Sequence, residues 1–247
     1  VGGGLIAAWL SYRAVYMSQA LIASIAIPAS LLLIEPGRKR LAGRPSLNQV
    51  FQISYFALFK DVRLGTTILM SSVSGLATLC MAWTCQVYFV TAGFTEAEIT
   101  PLWVTLNLTV AAVSSVAALV TLRLGEKNAI YIIIIFLPLA YILLGALPLT
   151  PALGVLYLFY LVRGFTTPLL RDMTNRNCSS EIRATVLSLR SLLVRLSFAA
   201  AGPCIGYLTG KFSLNAALIS FGIVLFIASI ISGTLLLHIH FPKKKSH

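Results

Sequence analysis

The chain has 247 residues, of which 58% are hydrophobic and only 11% charged, with a mean hydropathy of +0.90. A soluble domain carries about 25% charged residues, so this composition excludes one. The net charge of +12 would fit nucleic acid in a soluble protein. Here the bases sit mainly in the joints between apolar stretches, with neither a recognition helix nor an aromatic RNA-binding sheet, and no nucleic-acid partner is expected.

In lipid only helices and closed barrels satisfy the backbone. The apolar runs are continuous over about 20 residues, the length of a spanning helix, and lack the alternation of barrel strands. The predicted fold class is an all-α polytopic membrane protein. In chain order, residues 1–10 read as the end of a helix, and Ser11-Tyr12-Arg13 as a joint. The chain opens at Val1-Gly2-Gly3-Gly4 with no Met and no basic leader, and is therefore expected to begin inside a helix, as a fragment. The first whole span is 15–34, kinked at Pro28 and stopped by Glu35-Pro36-Gly37. The long polar segment 35–63 follows. Within it Val50, Phe51, Tyr55, Leu58 and Phe59 recur at helical spacing, which predicts a short amphipathic helix in the headgroup region; a plain linker is the other reading. Further spans are predicted at 64–91, 101–122, 129–147, 152–170, 184–209 and 213–238, and a basic tail at 239–247.

Placing the 38–63 segment in the cytoplasm and alternating sides puts the bases at 123–127, 171–183 and 243–245 inside as well. Only Arg13 and Lys211 then fall outside, while Arg163, Arg190 and Arg195 lie within spans. This agrees with the positive-inside rule. It predicts seven full spans plus one partial in a plasma or inner membrane, with the carboxy terminus cytoplasmic.

Several segments resemble the major facilitator superfamily. Gly2-Gly3-Gly4-Leu5-Ile6-Ala7 with Tyr12-Arg13 resembles its fifth helix and the start of its sixth, and Glu35-Pro36 resembles the end of the sixth. Arg123-Leu124-Gly125-Glu126-Lys127 resembles a degraded copy of the family's signature loop, without the usual Asp before the first base. Arg163-Gly164, Asn175, Arg183-Ala184-Thr185-Val186-Leu187-Ser188 and Gly202-Pro203 with Gly206 resemble helices ten and eleven of bacterial permeases. The resemblance covers nearly the whole chain. It implies that 1–34 ends an amino-terminal bundle, 35–63 links the bundles, and 64–238 is the carboxy-terminal six-helix bundle, whose missing amino-terminal partner bundle completes the transporter.

Charges inside a membrane are costly and mark functional sites by default. Arg163 is read as a cavity-lining base for an anionic solute or for a carboxylate of the other bundle, with Thr166, Thr167 and Thr174 near the same face. The competing account is an arginine snorkelling to the surface. Arg190 and Arg195 point about 140° apart on a helix and read as structural. The stripe Thr67, Ser71, Ser74, Thr78 and Cys85 reads either as close helix packing or as a cavity wall with Gln86 and Trp83 as contacts. The resemblance places helices seven and ten on the central cavity, making Arg163, Gln86, Trp83 and Thr167 the candidate substrate-binding residues. Arg123, Asp172, Asn175 and Arg183 are the candidate cytoplasmic gate; an ordinary solvated loop is the alternative. Ser179 is expected to cap the following helix, with Glu181 in its first turn.

All seven acids fall at helix ends or in loops, so this segment supplies no buried proton relay. Cys80, Cys85, Cys178 and Cys204 are scattered, which predicts packing residues with neither disulfide nor metal. No cofactor motif or catalytic cluster is found, and the chain is not expected to be an enzyme. The expected function is secondary active transport of a small organic solute by alternating access, with proton coupling an open option. The alternative is a non-transporting membrane sensor or interaction protein.

Overall fold

In the computed structural model, residues 11–31 and 46–242 are described. The expectations for 1–10, 32–45 and 243–247 lie outside them. Among the described residues every element is helical: α1 (Tyr12–Leu31), α2 (Leu47–Tyr55) running into a π turn (Phe56–Lys60), α3 (Val62–Thr91), α4 (Glu96–Ser115), α5 (Ala117–Leu124), α6 (Glu126–Ala146), α7 (Leu149–Arg176), α8 (Arg183–Lys211) and α9 (Leu214–His240).

The starts of these helices follow local chemistry. Ser46 and Gln49 close a reciprocal capping box ahead of α2, Asp61 accepts from the Leu64 N–H, and Ser213 accepts from the Ala216 N–H. Each satisfies a donor that a helix start leaves without an internal partner. Gly125, at φ +78, forms the tight turn between α5 and α6, a conformation that glycine adopts at no steric cost. Two details differ from expectation. Helix α7 runs on to Arg176, so the predicted 171–183 loop shrinks to 177–182. Residue Ile182, not Ser179, stands at the N-cap of α8, without a side-chain cap, and Glu181 precedes the helix.

Helices α3, α6, α7, α8 and α9 are each long and apolar enough to cross a membrane. The pair α4–α5 makes a sixth if it is one span, bent by 63°. The predicted straight span 101–122 is therefore broken at Val116. There the ladder tightens to an i−3 bond from Val116 N–H to the Val113 carbonyl, and the Ser115 hydroxyl bonds back to Ala112. Serine side chains that compete for backbone carbonyls bend helices. Helix α1 is not in this set and is exposed along most of its length. The architecture is that of a helical membrane protein with five or six spanning helices among the described residues.

The core is tightest where α6 meets α9. A Cβ on Gly222 would stand 2.7 Å from Cγ1 of Ile142, and one on Gly233 2.2 Å from Cδ1 of Ile134. A side chain at Gly222 would press on the Ile142 backbone and one at Gly233 would displace the Ile134 side chain, and close backbone approach is how helices pack without a hydrophobic driving force. Tyr141 is the hub: fully buried, it donates to the Ala77 carbonyl at 2.6 Å and packs edge-on against Phe159 and Phe221.

Contacts also sort the joints by end. His240 Nε2 lies 3.2 Å from both the Thr67 hydroxyl and the Arg63 carbonyl, so the end of α9 meets the start of α3. Arg176 pairs with Glu126 at 2.5 Å, joining the ends of α7 and α5–α6. Ala57, Leu64, Ile68, Cys178 and Val186 form one apolar cluster, which brings the same end of α3 together with α2 and the α7–α8 joint. Lys60, Arg63, Arg123, Lys127, Arg171, Arg176 and Arg183 therefore share one end of the bundle. The opposite end holds the joints after α3, α6 and α8, with Lys211.

Candidate functional site

Helices α3, α4 and α7 bring a set of polar and aromatic side chains together, some exposed and some buried. The sequence made Arg163 and Gln86 candidates separately; the structure links them through two residues it did not single out. The Arg163 guanidinium lies 5.3 Å from the centre of the Tyr160 ring, a cation–π contact. Tyr160 packs edge-on against Trp103 of α4 at 6.4 Å, and the Trp103 indole N–H donates to Gln86 Oε1 at 2.8 Å. The chain of contacts runs α7 to α4 to α3. The Trp103 carbonyl accepts from Asn107, and Thr105 bonds the Tyr157 hydroxyl of α7 at 2.5 Å. Thr105, Asn107 and Gln86 are exposed, while Arg163 is half-buried. The Tyr160 hydroxyl lies close to the Cys85 thiol and Arg163 without a well-formed hydrogen bond to either.

This geometry comes from local packing. Gly164 lets α4 approach α7: a Cβ there would meet Val113 at 2.8 Å. The neighbouring Arg163 is thereby held beside α4 rather than pushed away. Thr167 lies one turn further along α7 and is exposed, whereas Thr166 and Thr174 are buried and bonded to their own helix carbonyls.

Trp83 is in a different place. It stands 66% exposed on α3 and tilts against Phe198 of α8, with ring centres 6.2 Å apart. The two rings border an open cleft of about 390 Å³ between α3 and α8, whose walls include Cys80, Thr84, Gly202, Pro203 and Thr209. The cleft holds no charged side chain. Thus Gln86 and Trp83, three residues apart and on one face of α3, reach different neighbours, Trp103 of α4 and Phe198 of α8.

The stripe on α3 divides. Thr67, Ser71 and Ser74 are buried, with Thr67 next to His240 and Ser71 accepting from Arg190 of α8. Arg190 thus ties α8 to α3, a structural contact. Arg195 is exposed on α8.

At the basic end, Asp172 pairs with Arg176 at 3.0 Å, and Arg176 also reaches Glu126. Arg183 donates to the Asn175 carbonyl at 3.5 Å, a marginal bond. Arg123 is exposed at the end of α5. Arg176 is the residue that joins two joints here. The sequence carried a signal for it, since Asp172 and Arg176 stand four apart, but Glu126 is distant in the chain. Burial pushes the nearby Cys178 thiol above its ordinary range, partly offset by the Arg183 guanidinium.

Cys80, Cys85 and Cys178 are buried and Cys204 is exposed, all as free thiols. Among the described residues no group of three or more His, Cys, Asp or Glu side chains could hold a metal ion. The sequence matches no known protein family, no curated protein and no solved structure.

Proposed function

We propose that this chain forms the carboxy-terminal bundle of a secondary transporter of the major facilitator type, moving a small organic solute by alternating access. One observation carries the reading. The outward side of α4 offers Thr105, Asn107, Ser114 and Ser115 together with Leu108, Ala111 and Ala112, whereas the outward side of α9 is mainly Ile223, Val224, Ile227, Ile230, Ile231 and Leu235, with Ser220 and Thr234 among them. The second surface suits lipid; the first suits water, solute or another helix bundle. The Arg163–Tyr160–Trp103–Gln86 chain reaches α4 at Trp103 through the buried Tyr160, and its half-buried arginine favours a solute carrying negative charge or a carboxylate of the facing bundle. The basic end is read as cytoplasmic, with α1 as the last helix of the preceding bundle. That gives seven full spans in a plasma or inner membrane, with the carboxy terminus cytoplasmic.

The gate in this reading is the Glu126–Arg176–Asp172 cluster, with Arg123, Asn175 and Arg183 around it. The test is uptake by vesicles holding the natural protein together with its preceding bundle, using a panel of radiolabelled organic anions and neutral solutes. Accelerated exchange of one class over empty vesicles supports carriage, and loss of that exchange in Arg163→Ala assigns the arginine to it. A protein that folds and inserts but exchanges no member of either class points to the sensor or interaction reading.

A further inference from the structure

We infer that α2 and its π turn form an interfacial anchor for an anionic phospholipid leaflet. The inference is independent of transport. Helix α2 has three distinct faces. Val50, Ile53 and Ala57 turn inward. Asn48, Gln49 and Gln52 form a polar face, which ends at the half-exposed Phe56. The third face carries Leu47, Phe51, Tyr55 and, through the turn, Phe59, which are 88%, 78%, 55% and 70% exposed. A four-residue spacing of aromatic side chains, left uncovered by the described residues, is the pattern of a helix lying in a membrane interface.

Depth supports this placement. Ala57 and Leu58 pack in the cluster with Leu64, Ile68 and Val186, against which Leu189 and Leu193 also rest. At about 1.5 Å per residue, Val186 and Leu193 lie about 5 and about 15 Å along α8 from its first residue, Arg183. The segment is held beside the opening turns of spanning helices, the level of headgroups and upper acyl chains. The hold is close: a Cβ on Gly65 would stand 2.6 Å from the Leu58 carbonyl oxygen.

Charge selects the kind of surface. Lys60 and Arg63 flank the end of the π turn, and both are exposed. Arg38, Lys39, Arg40 and Arg44 precede the helix in sequence. From 36 to 63 the one acid is Asp61, and its carboxylate is engaged by the Leu64 N–H. Aromatic side chains would enter the acyl boundary while the cations take headgroup phosphates, each cation near an anionic surface favouring binding about fivefold.

The experiment is spin labelling of the chain in vesicles of phosphatidylcholine, with and without phosphatidylglycerol. Labels are placed by Phe51→Cys, Phe59→Cys and Gln52→Cys in a Cys204→Ser background. The expected result is that labels at 51 and 59 collide with oxygen and not with a water-soluble nickel chelate, and that phosphatidylglycerol deepens them. The label at 52 should remain open to the chelate. In Lys60→Gln and Arg63→Gln the immersed population should fall about fivefold each. Tyr55→Trp, quenched by brominated phosphatidylglycerol, gives the same reading without a thiol. Labels at 51 and 59 as open to the chelate as 52 would overturn the anchor. Labels shielded from both oxygen and chelate would show protein covering the face, which also overturns it. Immersion unchanged by phosphatidylglycerol would remove the anionic lipid as partner.

Discussion

The α6–α9 pair and the α4–α7 pair are both close helix contacts, and each depends on glycine. They differ in what lies on their outer sides. Beside Gly222 and Gly233 the exposed residues are mainly Ile223, Ile227, Ile230 and Ile231, and the exposed Thr234 hydroxyl bonds back to its own helix. Beside Gly164 stands the half-buried Arg163, and across on α4 are Val110 and Val113, followed by the exposed Ser114, with exposed Thr105 and Asn107 earlier in the same helix. Packing chemistry is therefore shared across the bundle, while solvation chemistry is not. A bundle surrounded only by lipid would have no physical reason to keep amides, hydroxyls and a guanidinium on one outer flank, since each costs free energy in hydrocarbon.

The sharpest way to break this comparison is to place a charge on each side. Ile227→Lys puts an ammonium at mid-span on the apolar surface and should cost about 2.5–3.5 kcal/mol of insertion. Ala111→Lys, on the α4 side, should cost far less. A translocon insertion assay on the two helices, followed by expression of the two full chains, reads the difference. Equal loss in the full chains would mean that both sides meet lipid.

Next in size are the glycines. Gly222→Leu should force α6 and α9 apart, because the leucine would occupy the space of Ile142, with a destabilisation of about 1–3 kcal/mol or more. Thermal unfolding in detergent should show it as a lower Tm. Gly206→Leu on α8, where a Cβ meets nothing within 4 Å, is the control and should leave Tm nearly unchanged.

Smaller effects sharpen the description of the polar flank. Arg163→Ala removes one cation–π contact, worth about 0.5–2 kcal/mol, yet should reduce transport at least about tenfold. Tm and transport falling in proportion would make the arginine a packing residue. Gln86→Leu leaves the Trp103 indole N–H without its acceptor. If that flank is wet, water replaces the amide and the loss stays under about 1 kcal/mol; in hydrocarbon it rises to about 1–3 kcal/mol. Trp103 emission distinguishes the two, shifting to the red in the wet case.

The least effect is expected at the basic end. Arg176→Gln breaks the contacts to Glu126 and Asp172, but Arg176 is half exposed, and exposed ion pairs contribute about 0–1 kcal/mol. Tm should barely move at moderate salt. A change in the rate of exchange without a change in Tm would support gating by this cluster.

The sequence by itself determined the solvent of this protein, the positions of its principal helices and the grouping of its bases. Continuous apolar length and the spacing of charged joints are local properties, and lipid leaves a backbone without strand alternation no choice but helix. The amphipathic segment at 50–59 was legible for the same reason: Phe51, Tyr55 and Phe59 repeat at a helical period. The tertiary structure decided what periodicity cannot carry. It broke 101–122 at Val116, where the ladder tightens to an i−3 bond and the Ser115 hydroxyl bonds back to Ala112. It turned Gln86 toward Trp103 and Trp83 toward Phe198, because α3 meets both α4 and α8 there. It joined Arg163 to Gln86 through Tyr160 and Trp103, and Arg176 to Glu126 fifty residues away. Each of these contacts depends on which helix lies beside which, and that is set by where glycine and other small side chains let two backbones meet.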